Sequence, residues 1–209
     1  MSQNSKLNVD AIIVVAEWLS ELFGAPATTE HITQIATSQA QESLQWIGEQ
    51  LNASAQIQAL NAILTRDHPA PLAVHLQRRY TTLFEGIFKH RAVLPYESAW
   101  RGGDLAIAEM KAVLRALDVH VDKNYHEPAD HLAIELAALS VALRDEQYRQ
   151  AAELVERLEG WVPSFSTALH LQDKDGFYAA AADLLLALLH NAHNALALHI
   201  PKRYEGEFA

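Results

Sequence analysis

The stretch EPADHLAIELAALSVAL, residues 127–143, constrains the fold of this chain more than any other. Four leucines repeat there with the spacing of one helical face: Leu132, Leu136, Leu139 and Leu143. Alanine, isoleucine and valine occupy most of the other faces, so the predicted helix is apolar nearly all round. A helix of this kind is buried inside a larger protein, so other helices must surround it. We expect Pro128 in its first turn, where the missing N–H is tolerated.

The composition predicts that the surrounding elements are helices as well. Glycine (8) and proline (7) are scarce among 209 residues, of which 50% are hydrophobic. Few turn residues and many strong helix formers predict an all-α protein. We expect a single-domain helical bundle of about ten helices that spans residues 1–209. Residues 86–103, GIFKHRAVLPYESAWRGG, lack helical periodicity and predict a long central loop or hinge.

The apolar periodicity predicts where the other helices lie. They are expected at 9–23, 28–51 with a break, 53–65, 71–85, 104–117, 145–159, after Pro163, and 176–199. The prolines of HPAP, residues 68–71, indicate a break before the helix at 71–85. Asp104 is expected to be an N-cap. Residues 145–159 predict an amphipathic surface helix in which Glu153 pairs with Arg157.

Charge and cysteine content exclude several classes of function. The net charge of -10 disfavours a nucleic-acid partner and is compatible with a basic peptide. The absence of cysteine excludes disulfides and thiolate catalysis. The first residues lack the pattern of a secretory signal peptide, and no apolar run reaches the ~18 residues of a membrane span. We therefore expect a cytoplasmic protein without a transmembrane segment.

The ionisable residues at the start of the central helix are candidates for a site, but their role is open. Asp130, His131 and Glu135 lie within one and a half turns and could form the carboxylate–imidazole cluster of a metal-dependent helical enzyme. Asp130 and His131 could equally serve only to begin the helix. His190, His193 and His199 lie near one another in sequence but do not make a complete zinc site. The common catalytic motifs are absent, so no metal or cofactor is expected.

A second group of candidates surrounds the long loop. It is aromatic and aliphatic and consists of Tyr80, Leu83, Phe84, Pro95, Tyr96 and Trp100. Residues of this type often belong to an ordinary hydrophobic core. They could also form an apolar groove for a partner segment, and the acidic surplus would then attract basic residues flanking that segment.

Five segments occur in an order that resembles a known family. They are YTTLFEG (80–86), PYES (95–98), EPADHLAIEL (127–136), WVPSF (161–165) and GFYAAAADLL (176–185). Together they resemble the TorD/DmsD family of redox-enzyme maturation chaperones, with the NarJ chaperones as a more distant branch. The resemblance runs from about Tyr80 to about Leu188. Residues before Tyr80 are similar only in being helical.

The resemblance implies a non-catalytic, cytoplasmic, all-helical chaperone without a cofactor. Such chaperones bind the twin-arginine signal peptide, and sometimes the apo-enzyme body, of a molybdopterin oxidoreductase of the DMSO or TMAO reductase type. They hold this client until its cofactor is inserted, which delays export. By position, the peptide-binding residues correspond to Tyr80, Leu83, Phe84, Pro95, Tyr96, Asp130 and His131. Trp100 and Glu135 complete the candidate site. The oligomeric state is left open between a monomer and a domain-swapped dimer.

Overall fold

Helices pack around a buried central helix in the computed structural model of the chain, which describes residues 3–85, 92–121, 125–174 and 176–199. The α-helices are α1 (Gln3–Gly24), α2 (Thr29–Ile35), α3 (Ser38–Gln50), α4 (Ser54–Leu64), α5 (Pro69–Tyr80), α6 (Asp104–Ala116), α7 (Leu132–Arg144), α8 (Tyr148–Glu159), α9 (Val162–Gln172) and α10 (Phe177–Ala197). A π-helical turn (Thr81–Glu85) continues α5, and a 3-10 turn spans Glu97–Ala99. The predicted all-α bundle of about ten helices is confirmed.

The central position of α7 is confirmed. Ten of its thirteen residues are buried, and it packs against α1 and α8. Ser20 of α1 donates a hydrogen bond of 2.7 Å to the carbonyl of Ala133 at the start of α7. The last helix, α10, covers α1, α4, α8 and α9 with twelve buried residues. Both apolar helices therefore form the core, as their sequence pattern predicts.

The predicted break within residues 28–51 is confirmed. Thr28 and Thr37 cap α2 and α3, and each side-chain oxygen accepts a backbone N–H three residues later. The predicted break across HPAP is placed too late, because α5 already begins at Pro69. Proline is tolerated in the first turn of a helix, since the N–H groups there have no intrahelical partner.

Two boundary predictions and one side-chain pairing are wrong for reasons of tertiary structure. Helix α7 begins at Leu132, so Pro128 and Asp130 precede the helix and His131 is its N-cap. His131 is extended (φ -71°, ψ 135°) because its neighbours pair with residues 95–97. Gly103, with φ 51°, takes the cap position expected for Asp104, which is the first residue of α6. Glu153 pairs with Arg149 instead of Arg157.

The described part of the central loop, residues 92–103, returns to the bundle core. The Val93 N–H donates to the Leu83 carbonyl at 2.7 Å, and the 3-10 turn follows. Residues 86–91 lie outside the described residues, so the hinge stays a prediction. Within the described ranges, no helix combines the length and the apolar character that crossing a membrane requires.

Candidate functional site

The structure joins the PYES segment to the residues that precede α7. Tyr96 and His131 form an isolated antiparallel bridge, in which Glu97 N–H donates to the Asp130 carbonyl and Leu132 N–H to that of Pro95. The donor–acceptor distances are 3.0 and 2.8 Å. Asp130 adds a side-chain bond, because its Oδ2 accepts the Ser98 N–H at 2.8 Å. We call this pairing of residues 95–98 with 130–132 the motif bridge.

His131 lies at the centre of the motif bridge and is only 2% exposed. Its Nδ1 accepts the Ala133 N–H at 3.1 Å, so the imidazole caps α7. The rings of Tyr96 and Tyr125 meet it edge-on, with centroids 5.0 and 6.2 Å away. Burial lowers the pKa of His131, while the charges of Glu127 and Asp130 act in the opposite direction. The imidazole is therefore held in its neutral form, the form that can accept the capping hydrogen bond.

Two tyrosines, Tyr96 and Tyr125, contact the His131 ring, and a third, Tyr80, interacts electrostatically with Tyr125. Tyr96 donates to Glu127 Oε2 at 2.6 Å, and Tyr80 donates to the Phe23 carbonyl at 2.9 Å. Burial raises the pKa of Tyr125 to about 12, and it also raises the pKa of Tyr80 and Tyr96. All three hydroxyls are therefore protonated at neutral pH and act as hydrogen-bond donors. The Tyr125 hydroxyl is buried and has no hydrogen-bond partner among the described residues.

The YTTLF residues belong to a closed aromatic cluster. We use this name for Phe23, Tyr80, Phe84, Phe165 and Tyr178, whose ring centroids lie 5.0 to 6.5 Å from one another in contacting pairs. Leu83 and Phe84 are 2% and 5% exposed, so they face the core and not solvent. Trp100 lies at the edge of the cluster, partly exposed, with its ring 6.1 Å from that of Phe165.

A charged cluster lies under the motif bridge. It consists of Glu97 from the 3-10 turn, Glu109 from α6, Glu135 from α7 and Arg157 from α8. The Arg157 guanidinium is 8% exposed and pairs with all three carboxylates, and it also donates to the Ala106 carbonyl at 2.5 Å. Arg101 adds a bond of 2.6 Å to Glu97. Arg157 thereby ties four elements together.

Glu135 faces this cluster and not solvent. Its side chain accepts the indole N–H of Trp161 at 3.2 Å. Burial raises the pKa of Glu135 well above 4.5, and the Glu97 carboxylate raises it further, although Arg157 and the Trp161 hydrogen bond oppose this. The protonated carboxyl can donate a hydrogen bond to the Glu97 carboxylate, which also contacts Arg157 and Arg101.

The segments by which the chain resembles a family meet in the motif bridge, the aromatic cluster and the charged cluster. Comparison with known proteins supports the same family. The sequence model of the family described as nitrate reductase delta subunit matches residues 47–167. The proteins named chaperone protein TorD from Shigella boydii serotype 18 and Escherichia coli O8 are each 32% identical over 199 residues. The alignment covers 90% of this chain and 97% of each relative.

The chain belongs to the TorD/DmsD family. The similarity reaches far beyond residues 80–188, so the expectation that the first helices are similar to the family only in being helical is wrong. The relatives are named chaperones, which is a non-enzymatic role. The family membership confirms the resemblance, which began from five short segments.

Within this TorD/DmsD protein, the predicted site residues separate into three groups. Pro95, Tyr96, Asp130 and His131 meet at the motif bridge. Tyr80, Leu83, Phe84 and Trp100 lie in or beside the aromatic cluster, and Glu135 belongs to the charged cluster. Among these nine residues only Tyr96 and Trp100 are partly exposed.

The residues of the alternative metal site point in different directions. Asp130 binds the Ser98 N–H, His131 binds the Ala133 N–H, and Glu135 binds Trp161. The C-terminal histidines also have separate partners, since His193 contacts Glu159 and His199 contacts the Ala195 carbonyl. Over the described ranges, no group of three or more such side chains is placed to hold a metal ion.

Sequence reasoning missed Glu97, Arg157 and Tyr125. Glu97 lies within PYES, where a charged residue inside an otherwise apolar motif could have indicated a buried ion pair. Arg157 follows the apolar positions of α8 and adjoins Leu158, which is completely buried. Tyr125 had no signal in the sequence, because it lies in a polar connection without helical periodicity.

Proposed function

We propose that this protein is a client-specific chaperone that binds the twin-arginine leader peptide of a molybdopterin oxidoreductase of the DMSO or TMAO reductase type, its apo-form, or both. It would hold this client in the cytoplasm until the cofactor is inserted. The protein itself would catalyse no reaction and need no cofactor. The observation that carries the proposal is the motif bridge, which joins PYES to EPADH, the most specific segment of the resemblance.

The relatives and the charge of the chain support this proposal. Relatives that align with 90% of the chain are named as chaperones. The net charge of -10 attracts a basic leader, and arginine is the cation best suited to bidentate pairing with a carboxylate. Glu127, exposed beside Tyr96, offers such a carboxylate at the motif bridge.

The nine predicted residues would contribute to client binding in two ways. Tyr96 and Trp100 are partly exposed and can contact the client directly. The other seven are buried, and they would hold the motif bridge and its neighbours in shape. Asp130 illustrates this role, because its carboxylate fixes Ser98 two residues after Tyr96. A direct contact with these seven residues would require the chain to open.

The test is a calorimetric titration of the full-length protein with a leader peptide. Replacing the arginine pair of the peptide by glutamine removes charge and keeps the apolar stretch. We expect affinity to fall about tenfold or more, which is ~1.4 kcal/mol or more. A peptide with a lysine pair keeps the charge without the bidentate geometry, so its affinity should lie between those of the arginine and glutamine peptides. Equal affinity for all three peptides would rule out recognition of the arginine pair. Binding of neither a leader peptide nor the apo-enzyme would refute the proposed function.

A further inference from the structure

A cavity of about 530 Å³ opens beside the motif bridge, between the C-terminal half of α1 and the first turns of α7. Its walls include Ala133 and Ala137 of α7, Val119 of the connection after α6, and Tyr125. Tyr125 also contacts His131, so the cavity and the motif bridge share a wall. We call this space the α1–α7 cavity.

Two further cavities extend this space along α1. A cavity of about 130 Å³ shares Glu21, Ala25 and His31 with the α1–α7 cavity. The next, of about 410 Å³, shares Trp18 and Ile35 with that smaller one. The three cavities therefore adjoin one another from Val14 to Ala25, about 17 Å of helix at 1.5 Å per residue.

The chemistry of this surface is apolar with one negative charge. Among the described residues that line the three cavities, Glu21 is the single carboxylate, and there is no lysine or arginine. The other ionisable side chains in the walls are histidines and the phenol of Tyr125. Glu21 is exposed, at the junction of two cavities. An apolar segment that follows a basic residue is complementary to this arrangement in both shape and charge.

The Tyr125 hydroxyl is a second, independent indication of a ligand. It is buried, it is protonated because its pKa is raised to about 12, and no acceptor within the described ranges bonds to it. A buried donor without an acceptor is unfavourable, so a bound group that supplies a carbonyl oxygen would satisfy it. The backbone of an extended peptide offers such oxygens at every residue.

We propose that the α1–α7 cavity binds the apolar stretch of the leader, with Glu21 pairing with a basic residue that precedes this stretch. Tyr125 donates a hydrogen bond to a backbone carbonyl of the bound segment. This inference rests on the proposed function and locates its binding surface. The aromatic cluster stays closed during binding, since Leu83 and Phe84 are not needed as contacts.

The first test fills the cavity. Ala137 is partly exposed on the cavity wall, so Ala137→Leu places its larger side chain in open space and should fold normally. We expect it to weaken leader binding about tenfold or more in calorimetry. Ala152→Leu is the matched control, because Ala152 is also a partly buried helical alanine but lies on α8 away from the cavity. Its affinity should stay within about twofold of the wild type.

The second test removes single polar groups and leaves the volume of the cavity nearly unchanged. Tyr125→Phe deletes only the unpartnered hydroxyl, so it should leave the melting temperature unchanged while weakening binding about threefold or more. Glu21→Gln should weaken binding and also reduce its salt dependence. Glu156→Gln, at an exposed position on α8, is the charge control and should bind like the wild type with unchanged salt dependence.

The outcomes separate this inference from the proposed function. If the wild type binds the leader and both Ala137→Leu and Tyr125→Phe bind it equally well, the cavity assignment is overturned and the proposed function stands. If Ala137→Leu instead converts a dimer to a monomer in sedimentation without changing leader affinity, a second copy of the chain occupies the cavity, and the inference is again wrong. If the wild type binds the apo-enzyme but no leader, the inference is wrong and the proposed function stands for the apo-form. If the wild type binds neither, both fail.

Discussion

The aromatic cluster and the charged cluster flank the same motif bridge, yet they are held together by opposite kinds of force. The aromatic cluster joins α1, α5, α9 and α10 through ring contacts, with two hydroxyl hydrogen bonds, from Tyr80 to the Phe23 carbonyl and from Tyr178 to the Leu76 carbonyl. The charged cluster joins α6, α7, α8 and the 3-10 turn through one guanidinium, that of Arg157. Ring contacts are many and individually weak, whereas the charged cluster depends on each partner.

This difference teaches that a motif can be specific without being a contact surface. YTTLF supplies rings to a closed core, and the Glu97 of PYES is an internal ion-pair partner. The ion pair of Glu97 anchors the chain next to Tyr96, which is partly exposed.

Replacing Arg157 by methionine should be the most destabilising of these changes. Glu135 would lose its cation and Glu97 would keep only the partly exposed Arg101, and breaking a buried pair in this way costs about 3–5 kcal/mol. Urea unfolding, monitored by circular dichroism, measures the free energy of unfolding. Arg149→Met is the control, since Arg149 is 79% exposed and its pair with Glu153 is worth about 0.5 kcal/mol at most. Similar losses in both variants would show that the charged cluster does not hold the fold.

Replacing Tyr80 by phenylalanine should have an intermediate effect on the aromatic cluster. The ring contacts remain, but the buried Phe23 carbonyl loses its donor, which costs about 1–2 kcal/mol. The same urea unfolding experiment measures this loss in the free energy of unfolding. Tyr148→Phe provides the comparison, because the Tyr148 hydroxyl donates no hydrogen bond within the described part of the chain. An equal, negligible loss in both proteins would mean that ring packing alone sustains the cluster.

The pH dependence of stability should reveal the smallest effect. Because the folded protein raises the pKa of Glu135 above 4.5, the protonated carboxyl favours the folded state. This contribution is complete below pH 4.5 and is lost as the pH rises through the folded-state pKa. Glu135→Gln keeps a neutral donor in place, so its stability should fall less between pH 5 and pH 8 than that of the wild type. Parallel curves for the two proteins would contradict the raised pKa.

Much of the fold follows from sequence because the apolar period reflects burial directly. The pattern of Leu132 to Leu143 predicts the buried central helix, and the threonines at 28 and 37 cap the two helices on either side of the expected break. The start of α7 could not be predicted in the same way. His131 is extended because residues 95–97 pair with its neighbours, and that pairing joins segments more than thirty residues apart.

The candidate site was predictable as a set of residues but not as a surface. The resemblance identified the residues of the motif bridge, and the structure brings Pro95, Tyr96, Asp130 and His131 together. The resemblance could not show which of these residues face solvent, because burial depends on the packing of all helices at once. Arg157 was missed for the same reason, since its three carboxylate partners come from three separate elements.

The central claim is that the client binds in the α1–α7 cavity while both clusters stay closed. A leader peptide that carries a photoreactive apolar residue after its arginine pair tests this most directly, with the crosslinked residues of the full-length protein identified by mass spectrometry. We expect crosslinks to the cavity walls, at Val119, Ala133 or Ala137. Crosslinks concentrated at Leu83 and Phe84 would contradict it, because they would show that the aromatic cluster opens to receive the client.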